Sequence, residues 1–170
     1  MNMFSALDIA KWFILKTNAE VELNEIDNDF DVYERITHLK LQKILYYAYG
    51  IFLSYTEGKK LFEEKILAWE HGPVIDEVYQ EYKSYKRNPI EYDLKEEDEN
   101  IISDISNCQE VVKVLNMTYE NYAGYTAWQL RNMTHEVGTP WDITTEEEGF
   151  NVEIKDELIK GYFDTEVMED

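Results

Sequence analysis

The chain has 170 residues, with 16 basic against 36 acidic side chains and a net charge of -20. A length of this order fits one domain with a single core. The charge argues against nucleic acid or an anionic membrane as a direct partner, because phosphate binding needs Lys and Arg to displace counterions. One cysteine, Cys108, rules out an internal disulfide and fits a reducing cytosol. The opening MNMFSALDIAKWFILK lacks a basic start and is interrupted by Asp8 and Lys11, unlike a secretory signal, and no segment has the run of apolar residues a membrane span needs.

In chain order, Ser5 is placed to cap a first helix to about Thr17, with Ala6, Ile9, Ala10 and Phe13 on one face. Residues 19–34 are acid-rich without a base and weakly periodic, and read as a loop or loosely ordered insert. A second helix starts at a Thr37 cap, carries Leu41, Ile44, Leu45, Ala48, Phe52 and Tyr55 at helical spacing, and stops at Gly58. It reads as the central core helix. Leu61-Phe62 and Ile66 to Trp69 suggest a small two-stranded element, which must lean on helices to be stable.

After the Gly72-Pro73 turn, Pro73 suits a first helical turn, and Ile75, Val78, Tyr79 and Tyr82 define a third helix to about Arg87. Ile101, Ile105, Cys108, Val112, Leu115, Tyr119 and Tyr122 alternate steps of four and three, which predicts one long fourth helix. A second helix capped by Asn107 is the alternative, but the unbroken phase favours continuity. Thr126 and Gln129 make a capping-box pattern for a short helix to about Thr134, and a last helix spans about Glu153 to Phe163. The expected fold is mainly α: a single-domain helical bundle over 1–170 with a small β-hairpin, the acidic insert at 19–34 and an acidic tail at 164–170.

Catalytic motifs are scarce. His71 and His135 with Glu70, Glu136 and Asp142 could form a metal or acid-base centre, but His135-Glu136 lacks a histidine at the spacing of the zinc-protease helix. Each histidine precedes a Gly- and Pro-containing turn, so a ring nitrogen bonded to backbone is the simpler expectation. Cys108 lies on an apolar stripe and reads as a small hydrophobe. There is no phosphate loop and no nucleophile elbow. The chain therefore reads as a non-enzyme, with no catalytic, cofactor or metal residues. Tyr46, Tyr47, Tyr49, Tyr55, Tyr79, Tyr82, Tyr85, Trp69 and Trp141 exceed what a small core needs, so some should be exposed as binding anchors.

Three segments carry a resemblance: LQKILYYAYG from Leu41, ILAWEHGPV from Ile66, and LRNMTHEVGTPW from Leu130 to Trp141. They resemble the signature region of the Panacea domain, also called SocA-like or phage-associated. The family's motif positions fall on Leu41, Gln42, Lys43, Tyr46, Trp69, Gly72, Pro73, Val74, Tyr79, Leu130, His135, Pro140 and Trp141. The resemblance implies a cytosolic antitoxin that binds and neutralises a cognate toxin, encoded by a neighbouring gene, by direct contact. Partner-binding residues expected on that basis are Tyr46, Tyr47, Trp69, His71, Gly72, Pro73, Val74, Tyr79, His135, Pro140 and Trp141. One family member works instead as an adaptor presenting its toxin to an AAA+ protease, a further partner the resemblance brings in. The charge raises another alternative, a phage-borne acidic inhibitor that imitates nucleic acid and occupies a host enzyme.

Overall fold

A computed structural model describes residues 4–26 and 35–168. Its centre is α2 (His38–Tyr55), where every residue from Leu41 to Leu53 is buried. A helix this apolar on all sides is stable only when surrounded. It is packed by α1 (Ala6–Ile26), α5 (Gln109–Tyr122), α6 (Ala127–Thr134) and α8 (Asp156–Tyr162). Thr37 caps its start, accepting from the Lys40 amide at 3.3 Å. At its end the Gly58 amide donates to Leu53 O (2.8 Å) and that of Glu57 to Ser54 O (3.3 Å), the paired bonds of a Schellman cap. Glu57 itself takes the left-handed position, φ 56°.

The acids after residue 19 do not all form a loop: α1 continues to Ile26, supported by a Lys16–Glu20 ion pair one turn apart (3.3 Å) and by Ala and Glu, both good helix formers. The remainder of the expected insert, 27–34, lies outside the described residues. The expected single fourth helix is two. α4 (Glu96–Asn107) and α5 are separated at Cys108, which adopts φ -92°, ψ 95°. The break lets α4 dock on α1 through a Lys11–Asp98 ion pair of 3.0 Å while α5 lies along α2. Cys108 is half-buried against the core.

The hairpin pairs β1 (Leu67–Trp69) with β2 (Gly72–Val74), Trp69 opposite Gly72, and not with Leu61-Phe62, which are buried in a turn. A third strand, β3 (Val152–Glu153), takes the other side of β1, so the expected last helix starts later, at Asp156. Pro73 lies in β2, an edge strand where its missing N–H costs no ladder bond. Helix α3 therefore begins only at Asp76 and runs to Tyr82. A helix not expected from the sequence, α7 (Pro140–Glu148), has Thr139 as cap and Pro140 in its first turn. The fold is mainly α with a small antiparallel sheet.

Candidate functional site

The three sequence segments converge at the hairpin. Gln42, from the second turn of α2, brackets Ile75: its Oε1 accepts from the Ile75 amide at 2.8 Å and its Nε2 donates to the Ile75 carbonyl at 3.1 Å. Lys43, next along, is fully buried and donates from Nζ to Pro73 O at 3.2 Å. On the other flank, the start of α7 supplies Trp141, whose Nε1 donates to Trp69 O at 2.7 Å, and the end of α6 supplies His135, whose ring lies 3.9 Å from that of Trp141. Nδ1 of His135 faces Arg131 O (2.7 Å) and Nε2 faces Glu70 O (3.3 Å). The hairpin is thus held by side chains from α2 and α7 and by the residue that caps α6.

Gly72 is required twice over. Its φ is +115°, open to glycine alone without strain, and a β-carbon there would stand 2.8 Å from Lys43 Nζ and 3.2 Å from His135 Cε1. The absence of a side chain lets the hairpin sit directly on a buried amine. Burial drives the Lys43 pKa down to about 7, with the nearby Arg131 guanidinium adding to the fall. His135 is lowered from the ordinary histidine value by burial above all, while its contacts with Arg131 O and Glu70 O pull the other way. His38, at the start of α2, is also lowered by burial.

Beside the hairpin lies a pocket of about 520 Å³, walled by Trp69, Tyr79, Val74, Leu39 and Phe150 and with Lys43 among its lining residues. Trp69 and Tyr79 meet edge to face, centroids 5.0 Å apart, and His38 packs edge-on to Tyr79 at 6.0 Å. Glu70 and His71, at the hairpin tip, and Phe150 are exposed at its rim.

The expected site residues divide accordingly. Trp69, His71, Gly72, Pro73, Val74, Tyr79, His135, Pro140 and Trp141 are gathered at or behind the hairpin. Of these Gly72, Pro73, Val74 and Pro140 are buried, Trp69, Tyr79, His135 and Trp141 half-buried, and His71 exposed. Tyr46 and Tyr47 are elsewhere: both are buried, packed edge-on to Phe163 at 5.6 and 5.7 Å, and Tyr47 stacks on Tyr122 at 4.2 Å. Both stand among the expected partner-binding residues, and here they belong to the core, since α5 and the turn after α8 cover them. The exposed large apolar residues include Trp128 (63% accessible), Val137 (96%) and Phe150 (53%), these three outside any periodic stripe that would mark them in the sequence. Among the described residues no three His, Cys, Asp or Glu side chains stand close enough to hold a metal, and no helix is long and apolar enough to cross a membrane.

The family model of the antitoxin SocA-like, Panacea domain matches residues 41–142, the stretch running from α2 through the hairpin to the start of α7. Antitoxin SocA from Caulobacter vibrioides (strain NA1000 / CB15N) is 30% identical over 139 residues, covering 75% of this chain and 72% of that protein. No solved structure matches. With its three diagnostic segments assembled into one hairpin-centred site, the chain belongs to the antitoxin SocA-like, Panacea-domain family.

Proposed function

We propose that this protein neutralises a cognate toxin by direct contact, using the hairpin and the aromatic pocket beside it. The observation that carries this reading is the half-buried pair Trp69–Tyr79 with the exposed Phe150 beside it, apolar surface held rigidly by the hydrogen bonds behind it. Rigid aromatics in a concave setting are what protein interfaces use as anchors, because burying them costs little side-chain entropy. Occlusion of the toxin needs only such a surface and no chemistry. The negative charge favours a toxin with a basic face.

The test is co-expression with the product of the adjacent gene, followed by co-purification. The neighbour alone arrests growth, and this chain restores it within a stable complex. A harmless neighbour that does not co-purify contradicts the proposal.

A further inference from the structure

Two groups of three bases stand on the surface, and they differ in what they hold. Lys59, Lys60 and Lys65 each pair with an acid: Glu110 at 3.3 Å, Asp156 at 3.6 Å and Glu153 at 3.6 Å. Lys83, Lys86 and Arg87, in the turn that follows α3, do not. All three are exposed, and Lys83 Nζ donates only to Gln80 Oε1 at 2.7 Å. Among the described residues none of the three has an ion pair. The stretch 82–90 carries no acid at all, in a chain that has 36.

The same turn holds a conformation that its sequence resists. The Asn88 amide donates to Tyr85 O at 3.0 Å, closing a β-turn in which Lys86 takes φ 55°, ψ -121°. That is the first central position of a type II′ turn, where glycine is at ease and a lysine is strained. The surroundings keep it there. The Lys86 amide donates to Lys83 O at 3.1 Å, the His38 ring is hydrogen-bonded to the Lys86 backbone, and Tyr85 Oη donates to Glu91 O at 2.7 Å. Strain that the surrounding structure maintains gathers where a side chain is used. Among the described residues no group takes up the Lys86 ammonium, so its use lies outside the chain.

We infer that the turn 83–88 is a docking seat for an acidic segment of a protein partner, whose carboxylates pair with Lys83, Lys86 and Arg87. A net charge of -20 repels the dense phosphates of a nucleic acid, whereas a short acidic run need touch only the turn. The seat goes beyond the proposed function, because it selects a chemistry opposite to the basic face that the rest of the surface favours.

The probes are capped hexaglutamate, capped hexaglutamine and an oligothymidylate of six phosphates. Each is titrated at low salt into the nitrogen-15-labelled chain and followed by amide chemical shifts. Hexaglutamate shifts the amides of 83–88 saturably and is released by high salt, and hexaglutamine shifts none of them. Combining Lys83→Gln, Lys86→Gln and Arg87→Gln weakens hexaglutamate about tenfold, the sum of three exposed charge pairs. Combining Lys59→Gln, Lys60→Gln and Lys65→Gln removes the same charge and leaves its affinity unchanged. Lys86→Gly relieves the backbone, so this variant unfolds at higher urea yet binds about twofold to threefold more weakly. No saturable shift at the turn, an equal loss in the control triple, or full binding by Lys86→Gly overturns the inference. So does tighter binding of the oligothymidylate, which makes the turn a nucleic-acid site.

Discussion

Lys43 is the residue on which the site turns. A lysine within the apolar run LQKILYYAYG is visible in the sequence, but burial cannot be read there, since lysines often bury only their methylenes and keep the head in water. Here Gly72 removes the space through which the head would escape. The unfolded chain has an ordinary lysine, whereas folding lowers the value to about 7. Between those values the unfolded state binds more protons, so stability rises with pH from about 7 upward and has no slope from this group well below 7. Urea unfolding of the wild type should give a higher midpoint at pH 9 than at pH 7. In Lys43→Met that difference should shrink, and the variant should match or exceed wild-type stability at pH 7, since a buried charge is exchanged for an apolar side chain of similar length. An unchanged slope contradicts the burial of the amine.

His135 shows how far residue-level reading reaches. A ring nitrogen bonded to backbone at the turn is the simpler expectation, and Arg131 O, 2.7 Å from Nδ1, is that partner, with Glu70 O 3.3 Å from Nε2. That Glu70 belongs to a different segment, 65 residues away, could not be read from local spacing.

At the scale of elements, caps and apolar spacing place most helices, while breaks and close approaches escape them. Thr37 and the Thr126–Gln129 box stand where expected. The stripe through Cys108 keeps its phase across one non-helical residue, so periodicity alone cannot show that α4 and α5 are separate. Thr139, Pro140 and Asp142 are ordinary start signals for α7, a helix too short and too weakly apolar in pattern to be read from spacing. Two residues, one on α2 and one just past its end, separate propensity from packing. Glu57 holds a left-handed conformation that glycine adopts without strain, so Glu57→Gly should stabilise by about 0.5–1 kcal/mol in urea unfolding. Gly50→Ala should do the reverse despite the better helix propensity of alanine, because its methyl would overlap the Phe163 ring. Overpacking of this kind costs about 1–3 kcal/mol. A stabilised Gly50→Ala would mean that the turn after α8 does not pack against α2.

For the whole molecule, the mainly α class was legible in the sequence because core periodicity is strong, and a small hairpin was expected there, but with Leu61-Phe62 in the place that Gly72–Val74 takes beside β1. The sheet's third strand was not, since two residues, Val152 and Glu153, carry no pattern. Nor was the division of aromatics between core and surface, because Tyr46 and Tyr47 look no different in sequence from Tyr79. Tertiary packing decides it: α5 and the chain after α8 cover the first two and leave Tyr79 beside Trp69 at the pocket. The family's three segments thus build a single clamped hairpin whose outer side is aromatic and whose inner side is a buried amine.

The most direct test is a calorimetric titration of the purified toxin with the wild type, Tyr79→Ala and Tyr55→Ala, each checked for an unchanged circular dichroism spectrum. Tyr55 is a control of the same type, 39% accessible at the end of α2 and bonded by Lys113. Tyr79→Ala should lose about 2 kcal/mol or more of binding, roughly a thirtyfold weaker complex, with Tyr55→Ala near the wild type. Full-strength binding by a folded Tyr79→Ala, or a loss confined to Tyr55→Ala, would contradict an interface at the hairpin.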